Sequence, residues 1–159
     1  MNKSMKIRQA NVADIDALVE LSRQIGEIHY EKAPHTFMPP SPEEKAFLLK
    51  ALEGGEYHFL VAEHEGSVIG FINARIMINE SIPFIVKKTV CRIGTIVVDE
   101  SHRSCGVGEA LMKACYSWAI ESGATSIRLE VMAFNERAKA FYQKLGYVDD
   151  FCIMSRQIA

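Results

Sequence analysis

The chain has 159 residues, enough for one domain that buries roughly 70% of the surface its unfolded form would expose, so it needs no disulfide or metal staple to fold. Apolar residues make up 48% and charged residues 24%, and the net charge is −2 with no Lys/Arg run, a globular composition that speaks against a nucleic-acid surface. Cys91, Cys105, Cys115 and Cys152 form no CxxC pair, and neither they nor His29, His35, His58, His64 and His102 show metal spacing, which favours reduced thiols in a cytoplasmic protein without a bound metal.

The opening Met-Asn-Lys-Ser-Met-Lys-Ile has no apolar core of a leader, and no window approaches the ~18 apolar residues of a membrane span, so no membrane association is expected. Lys6–Gln9 alternates and predicts a first strand. Asn11 or Asp14 can cap the helix that follows, whose apolar positions Ile15, Leu18, Val19, Leu21, Ile25 and Ile28 recur at helical spacing to about His29. Pro34, Pro39 and Pro40 make the next stretch a loop. Ser41-Pro42-Glu43-Glu44 then predicts a helix start, with Ser41 as N-cap and Glu44 as its capping-box partner, running to about Glu53. Tyr57–His64 and Val68–Ile78 read as a hairpin around Glu65-Gly66. Asn79–Lys88 is a loop and Val90–Val98 a strand. A helix is expected over Gly106–Ser122, a strand over Ser126–Met132, and a helix over Glu136–Leu145, capped by Asn135 and closed by Gly146. Tyr147 to about Ser155 reads as a last strand. The order βααβββαβαβ predicts an α/β sandwich on a mixed sheet, in a single domain over 1–159.

The chemistry concentrates between Ile93 and Gly146. A strand ending Ile96-Val97-Val98 leads into Arg103-Ser104-Cys105-Gly106-Val107-Gly108, where a helix begins. The first N–H groups of a helix lack internal partners, the helix dipole adds positive potential, and glycines let an anion approach the backbone. The loop lacks the Lys-Ser/Thr of an ATP-type P-loop and the third glycine of a dinucleotide fingerprint. Alone, it is also what a Gly-containing loop before any helix would look like. It is followed, however, by Leu129-Glu130-Val131, by Asn135, and by Ala138-x-x-Phe141-Tyr142-x-Lys144-Leu145-Gly146-Tyr147.

In these two motifs, strand–RxxGxG–helix and strand–Asn–AxxxY–LGY, the sequence resembles the GNAT (GCN5-related) N-acetyltransferase superfamily. The resemblance implies a three-layer α/β sandwich and transfer of an acetyl group from acetyl-CoA, used as co-substrate, to an amine. It implies that Ile96, Val97 and Val98 lie along the pantetheine arm. Arg103, Ser104, Cys105, Gly106, Val107, Gly108 and Glu109 would cradle the pyrophosphate, and Asn135 would bond the pantetheine arm. Tyr142 would give a proton to the departing sulfur, against the plain alternative of an aromatic packing beside Phe141. An N–H at Val97 or Val98 would polarise the thioester oxygen.

Many relatives carry a basic Glu where this chain has Gly94 and Thr95. Glu130 is the substitute candidate, its spacing to Tyr142 being similar to that in bacterial ribosomal-protein N-terminal acetyltransferases; a sheet-surface carboxylate or a water chain is the alternative. His58 and Glu80 are weaker candidates. The loops 27–40 and 79–88, with His29, Tyr30, His35, Phe37, Glu80 and Phe84, would face the acceptor, a small amine or a protein N-terminus. Dimerisation is common in the superfamily. A catalytically silent acyl-CoA sensor is the rival reading, and Tyr142 counts against it.

Overall fold

The computed structural model describes residues 4–159, which fall into two compact units, 4–129 and 130–159. The first unit holds a five-stranded sheet in sequential order: β1 (Lys6–Gln9), β2 (His58–His64), β3 (Ser67–Ile78), β4 (Thr89–Val98) and β5 (Ser126–Arg128). All neighbours are antiparallel except β4 and β5, which run parallel, so the sheet is mixed as expected.

Helices α1 (Ile15–Lys32) and α2 (Glu43–Glu53) lie on one face. There Leu18, Leu21 and Leu48 pack with Phe59, Val61, Phe71 and Val97 of the sheet in one buried cluster. Helix α3 (Val107–Glu121) packs against β2, β3 and β4 on the other side. At Gly70 of β3 it comes so close that an added Cβ would lie 3.3 Å from both Leu111 and Val107. Layers on two faces of a mixed sheet are the sandwich that the sequence predicts. The second unit carries α4 (Glu136–Lys144).

Three local expectations need correction. Asn11 and Asp14 do form a capping box, but the Ser41 side chain makes no cap bond to α2; the Glu44 N–H instead goes to the Ser41 carbonyl at 3.2 Å. The strand expected over Ser126–Met132 ends at Arg128, because its ladder with β4 stops at Arg92. Residues 147–155 form no strand. Alternation marks faces, but a strand also needs a paired ladder, and none forms there among the described residues.

Candidate active site

The site begins with an edge. β3 pairs with β4 along its length, whereas β5 pairs only with Val90, Cys91 and Arg92. The register steps from Ala74↔Ile93 to Asn73↔Thr95, which leaves Gly94 as the extra residue of a bulge. The buried Asn73 side chain accepts the Thr95 N–H at 3.0 Å. A Cβ on Gly94 would stand 2.5 Å from that same oxygen, so the bulge needs glycine. Beyond it the Asp99 N–H donates to the Ile69 carbonyl at 2.8 Å. Alternation along an antiparallel ladder puts Val97 on that side and turns the N–H and C=O of Ile96 and Val98 toward the edge that β5 has left.

The chain then enters a 3₁₀ turn, Glu100–His102, capped by Asp99. The Asp99 carboxylate accepts from the Ser101 N–H at 3.2 Å and from the Ser101 hydroxyl, and meets His102 Nδ1 at 3.1 Å. It also accepts Gln24 Nε2 at 2.8 Å, while Gln24 Oε1 accepts the Glu100 N–H at 3.0 Å. These bonds, Gln24's foremost, hold the Asp99 carboxyl far below the usual carboxylate range. Gln24 lies on α1 and is buried. In the sequence its one signal is a polar residue three positions after the core residue Leu21, on the apolar stripe of the helix.

Arg103 Nε donates back to the Val98 carbonyl at 3.2 Å, which closes the loop onto the strand end. Ser104 and Gly106 adopt left-handed backbone, with φ of 64° and 82°. Cys105 is exposed, with its sulfur 3.5 Å from the Arg103 carbonyl. Gly106 is the N-cap of α3 and offers no side-chain bond to the first helical turn of Val107, Gly108 and Glu109. A Cβ built on Gly106 meets nothing within 4 Å, so the space beside Gly106 is open. Glu109 pairs with Lys113 at 3.3 Å one turn along.

The second unit builds its part locally. The Asn135 side chain accepts the Ala138 N–H at 3.1 Å and caps α4. At the other end the Gly146 N–H bonds the Gln143 carbonyl and the Tyr147 N–H bonds the Tyr142 carbonyl, both at 3.0 Å. Gly146 is left-handed, and the Tyr142 and Tyr147 rings meet edge-on at 6.0 Å. This is a Schellman closure with its hydrophobic contact, and it accounts physically for Leu-Gly-Tyr after the helix. Phe141 touches the Tyr142 ring at 5.4 Å. Burial pushes the Tyr142 phenol up to about 12. Glu130 is exposed and lies past the end of β5, off the strand on which the sequence places it.

The weaker candidates are packed or solvated. His58 stacks on Trp118 at 4.4 Å and 6° between planes, and burial lowers its pKa, so its ring is a neutral packing element of the α3 face. Glu80 is exposed. His29 and Phe37 pack on each other at 4.6 Å and fix the loop after α1. The 79–88 loop precedes β4 and so lies at the opposite end of that strand from Arg103. Its Phe84 and Val86 are 84% and 73% exposed, on a turn tied by Asn79 to the Ile82 backbone. Among the described residues no group of three or more His, Cys, Asp or Glu is placed to hold a metal, and no helix is long and apolar enough to cross a membrane.

Known proteins share this arrangement. The model of the Acetyltransferase (GNAT) family matches residues 22–147. An N-alpha-acetyltransferase of Sulfurisphaera tokodaii is 31% identical over 150 residues, covering 91% of this chain and 81% of that one. The uncharacterized N-acetyltransferase YhfO of Bacillus subtilis is 27% identical over 146 residues, covering 92% and 91%. Among solved structures, a mutant of the BH1408 protein from Bacillus halodurans superposes with a TM-score of 0.90 at 26% identity, over 98% of this chain and all of that one. With the sheet, the interrupted β4–β5 ladder and the Arg103–Gly108 helix start in place, the match extends through both sequence motifs: the chain belongs to the GNAT acetyltransferase family and is an N-acetyltransferase.

Proposed function

We propose that the chain transfers an acetyl group from acetyl-CoA to the primary amine of a peptide or protein N-terminus, by direct attack in a ternary complex, with residues 1–159 acting as one catalytic domain. The observation that carries this reading is the open edge of β4 leading, through the turn capped by Asp99 and the Arg103–Gly106 loop, to a helix start that no side chain caps. The residues fit the co-substrate. The left-handed Gly106 with open space beside it and the N–H groups of Val107, Gly108 and Glu109 suit a pyrophosphate. The Ser104 and Cys105 backbone and the Arg103 charge flank them. The outward N–H and C=O of Ile96 suit an amide-bearing arm that adds like a strand, with the Val98 N–H facing the same edge, its carbonyl taken by Arg103 Nε, and Val97 supporting from the core. Asn135 serves that arm in addition to its capping role. A structure of the aminoglycoside N-acetyltransferase AAC(6′)-Iy with CoA has the same fold, at a TM-score of 0.70.

Acetyl-CoA brings an activated thioester, and the protein's own groups do the rest. The Val98 N–H donates to the carbonyl oxygen; alternation favours it over Val97, whose N–H faces β3. Tyr142, whose phenol burial pushes up to about 12, holds the proton for the departing sulfur. Glu130, exposed on the solvent side, takes the proton that an alkylammonium acceptor must lose. The relatives named N-alpha-acetyltransferase support a peptide acceptor. So do the exposed apolar residues of the 79–88 loop and the adjacent Lys87 and Lys88, which disfavour a polycation.

The test is calorimetric titration with acetyl-CoA, followed by thiol-release assays over peptide N-termini, polyamines and aminoglycosides. We expect binding, and turnover with peptides. Tyr142→Phe should lower kcat by ~100-fold or more while acetyl-CoA affinity stays within about twofold. Unchanged turnover would remove Tyr142 as the acid. Binding without turnover on any amine would leave an acyl-CoA sensor.

A further inference from the structure

We propose that Gln24 is a positioning residue that sets the acetyl-CoA loop from α1. This rests on the reading that Arg103–Gly108 holds the pyrophosphate.

Among the described residues the buried polar or charged side chains are Asp14, Gln24 and Asn73. Two of them serve local architecture. Asp14 takes both terminal nitrogens of Arg8 at 2.8 Å, and Asn73 satisfies the β4 bulge. Gln24 is different, because both ends of its amide go to the turn that launches the loop. Nε2 reaches the Asp99 carboxylate and Oε1 takes the Glu100 N–H, across 75 and 76 residues of sequence. Its position continues the apolar stripe of Leu18 and Leu21, where a leucine would suit the core. A buried amide costs desolvation unless both its ends are paired. Here they are paired to one acceptor and one donor that are adjacent in the chain, and a carboxamide is the side chain that matches both at once.

The mechanical consequence follows from the order of bonds. Asp99 hangs on Ile69 of β3, and the Ser101 and His102 bonds lie within the turn itself. Gln24 of α1 thus ties the turn by two hydrogen bonds, beside the edge-on ring contact of His64 of β2 with His102 at 6.4 Å, and fixes the direction in which the turn leaves β4. Four residues later Arg103 returns to Val98, and the left-handed Ser104 and Gly106 aim the first turn of α3. Loss of the tie frees the turn to pivot on β4, while the core beneath it stays packed. The neighbouring charges, Glu20 with Oε1 at 3.5 Å from Nε2 and Asp99 itself, mean that a carboxylate at this position would be repelled by both.

The experiment compares wild type with Gln24→Leu and with Gln24→Met, an unbranched apolar side chain of similar length that removes the same two bonds without burying a charge and serves should the leucine variant not fold. Each is checked for fold by circular dichroism. Kd for acetyl-CoA is read by calorimetry, and KM for acetyl-CoA and for the peptide acceptor by thiol release. We expect Kd and KM for acetyl-CoA to rise about tenfold, the size of one to two lost hydrogen bonds, with KM for the acceptor within about twofold. Asp14→Asn, which weakens the Arg8 bridge at the start of α1, is the stability control and should leave acetyl-CoA affinity unchanged. An unchanged Kd in folded Gln24 variants, or an equal rise in the Asp14 variant, overturns the proposal while leaving the loop assignment standing. Wild type that fails to bind acetyl-CoA removes that assignment, and this proposal with it.

Discussion

The loop after β4 and the helix α4 carry the two motifs of the family, and they are held by opposite means. The loop takes its form from distant parts of the chain. Ile69 of β3 anchors Asp99, Gln24 of α1 orients the turn, and the Gly94 bulge sets the strand before it. Helix α4 is held by its own neighbours: Asn135 caps the start, Gly146 and Tyr147 close the end, and the Tyr147 ring rests on Tyr142. The loop must present backbone groups at fixed angles, and a short glycine-containing segment cannot fix its own angles. The ends of the helix are closed within the segment from Asn135 to Tyr147.

The sharpest way to break that contrast is Asp99→Ala. It removes the acceptor of Gln24, Ser101 and His102 together, and we expect a loss of about 3 kcal/mol in urea unfolding. The pH dependence follows from the sign of the shift. The folded carboxyl titrates below its unfolded value of ~3.9, so its stabilisation is present above that pH and is lost as pH falls below it. Asp99→Asn should flatten that acid limb, and the slope that remains belongs to Asp14 and Glu20, which Arg8 and Arg23 likewise hold low.

Next in size is Gly94→Ala. The new Cβ displaces the Asn73 oxygen and strands the Thr95 N–H, at an expected cost of about 2 kcal/mol. Because both groups share one contact, Gly94→Ala with Asn73→Ala should cost less than the sum of the single changes. Additive costs would show that the bulge tolerates a side chain and that the open β4 edge has another cause.

The same contrast decides what could be read in the sequence. The α4 motif was legible down to the cap and the closing glycine, because its determinants lie within thirteen residues, from Asn135 to Tyr147. Likewise the Glu65-Gly66 hairpin turn and the limits of β2, β3 and β4 agree within a residue or so. The loop was legible as a motif, through Arg103, Gly106 and Gly108, but its supports were not. Nothing near Gly94 in sequence announces Asn73, and Gln24 looks like any polar residue on a helix. The strand expected over Ser126–Met132 stops at Arg128 for a related reason: Leu129-Glu130-Val131 has the residue types of a strand, but pairing with β4 ends at Arg92, just before the bulge. Ser41 has the residue type of a cap, yet its own carbonyl already takes the Glu44 N–H.

Smaller effects are expected where support is local. Asn135→Ala should cost about 1 kcal/mol, the usual value of an N-cap, and should leave the acid limb untouched. Smaller still is the alkaline effect at Tyr142. Burial raises its phenol to about 12, above the value of 10.0 for a free tyrosine. A group whose folded pKa is the higher one keeps its contribution in full below the unfolded pKa and loses it as pH climbs through the folded one. Wild-type stability should therefore decline between about pH 10 and 12, and Tyr142→Phe, which has nothing to ionise, should decline less over that window. Parallel curves in urea titrations would mean that burial does not raise the phenol above the free value of about 10, at which it still carries its proton near neutral pH.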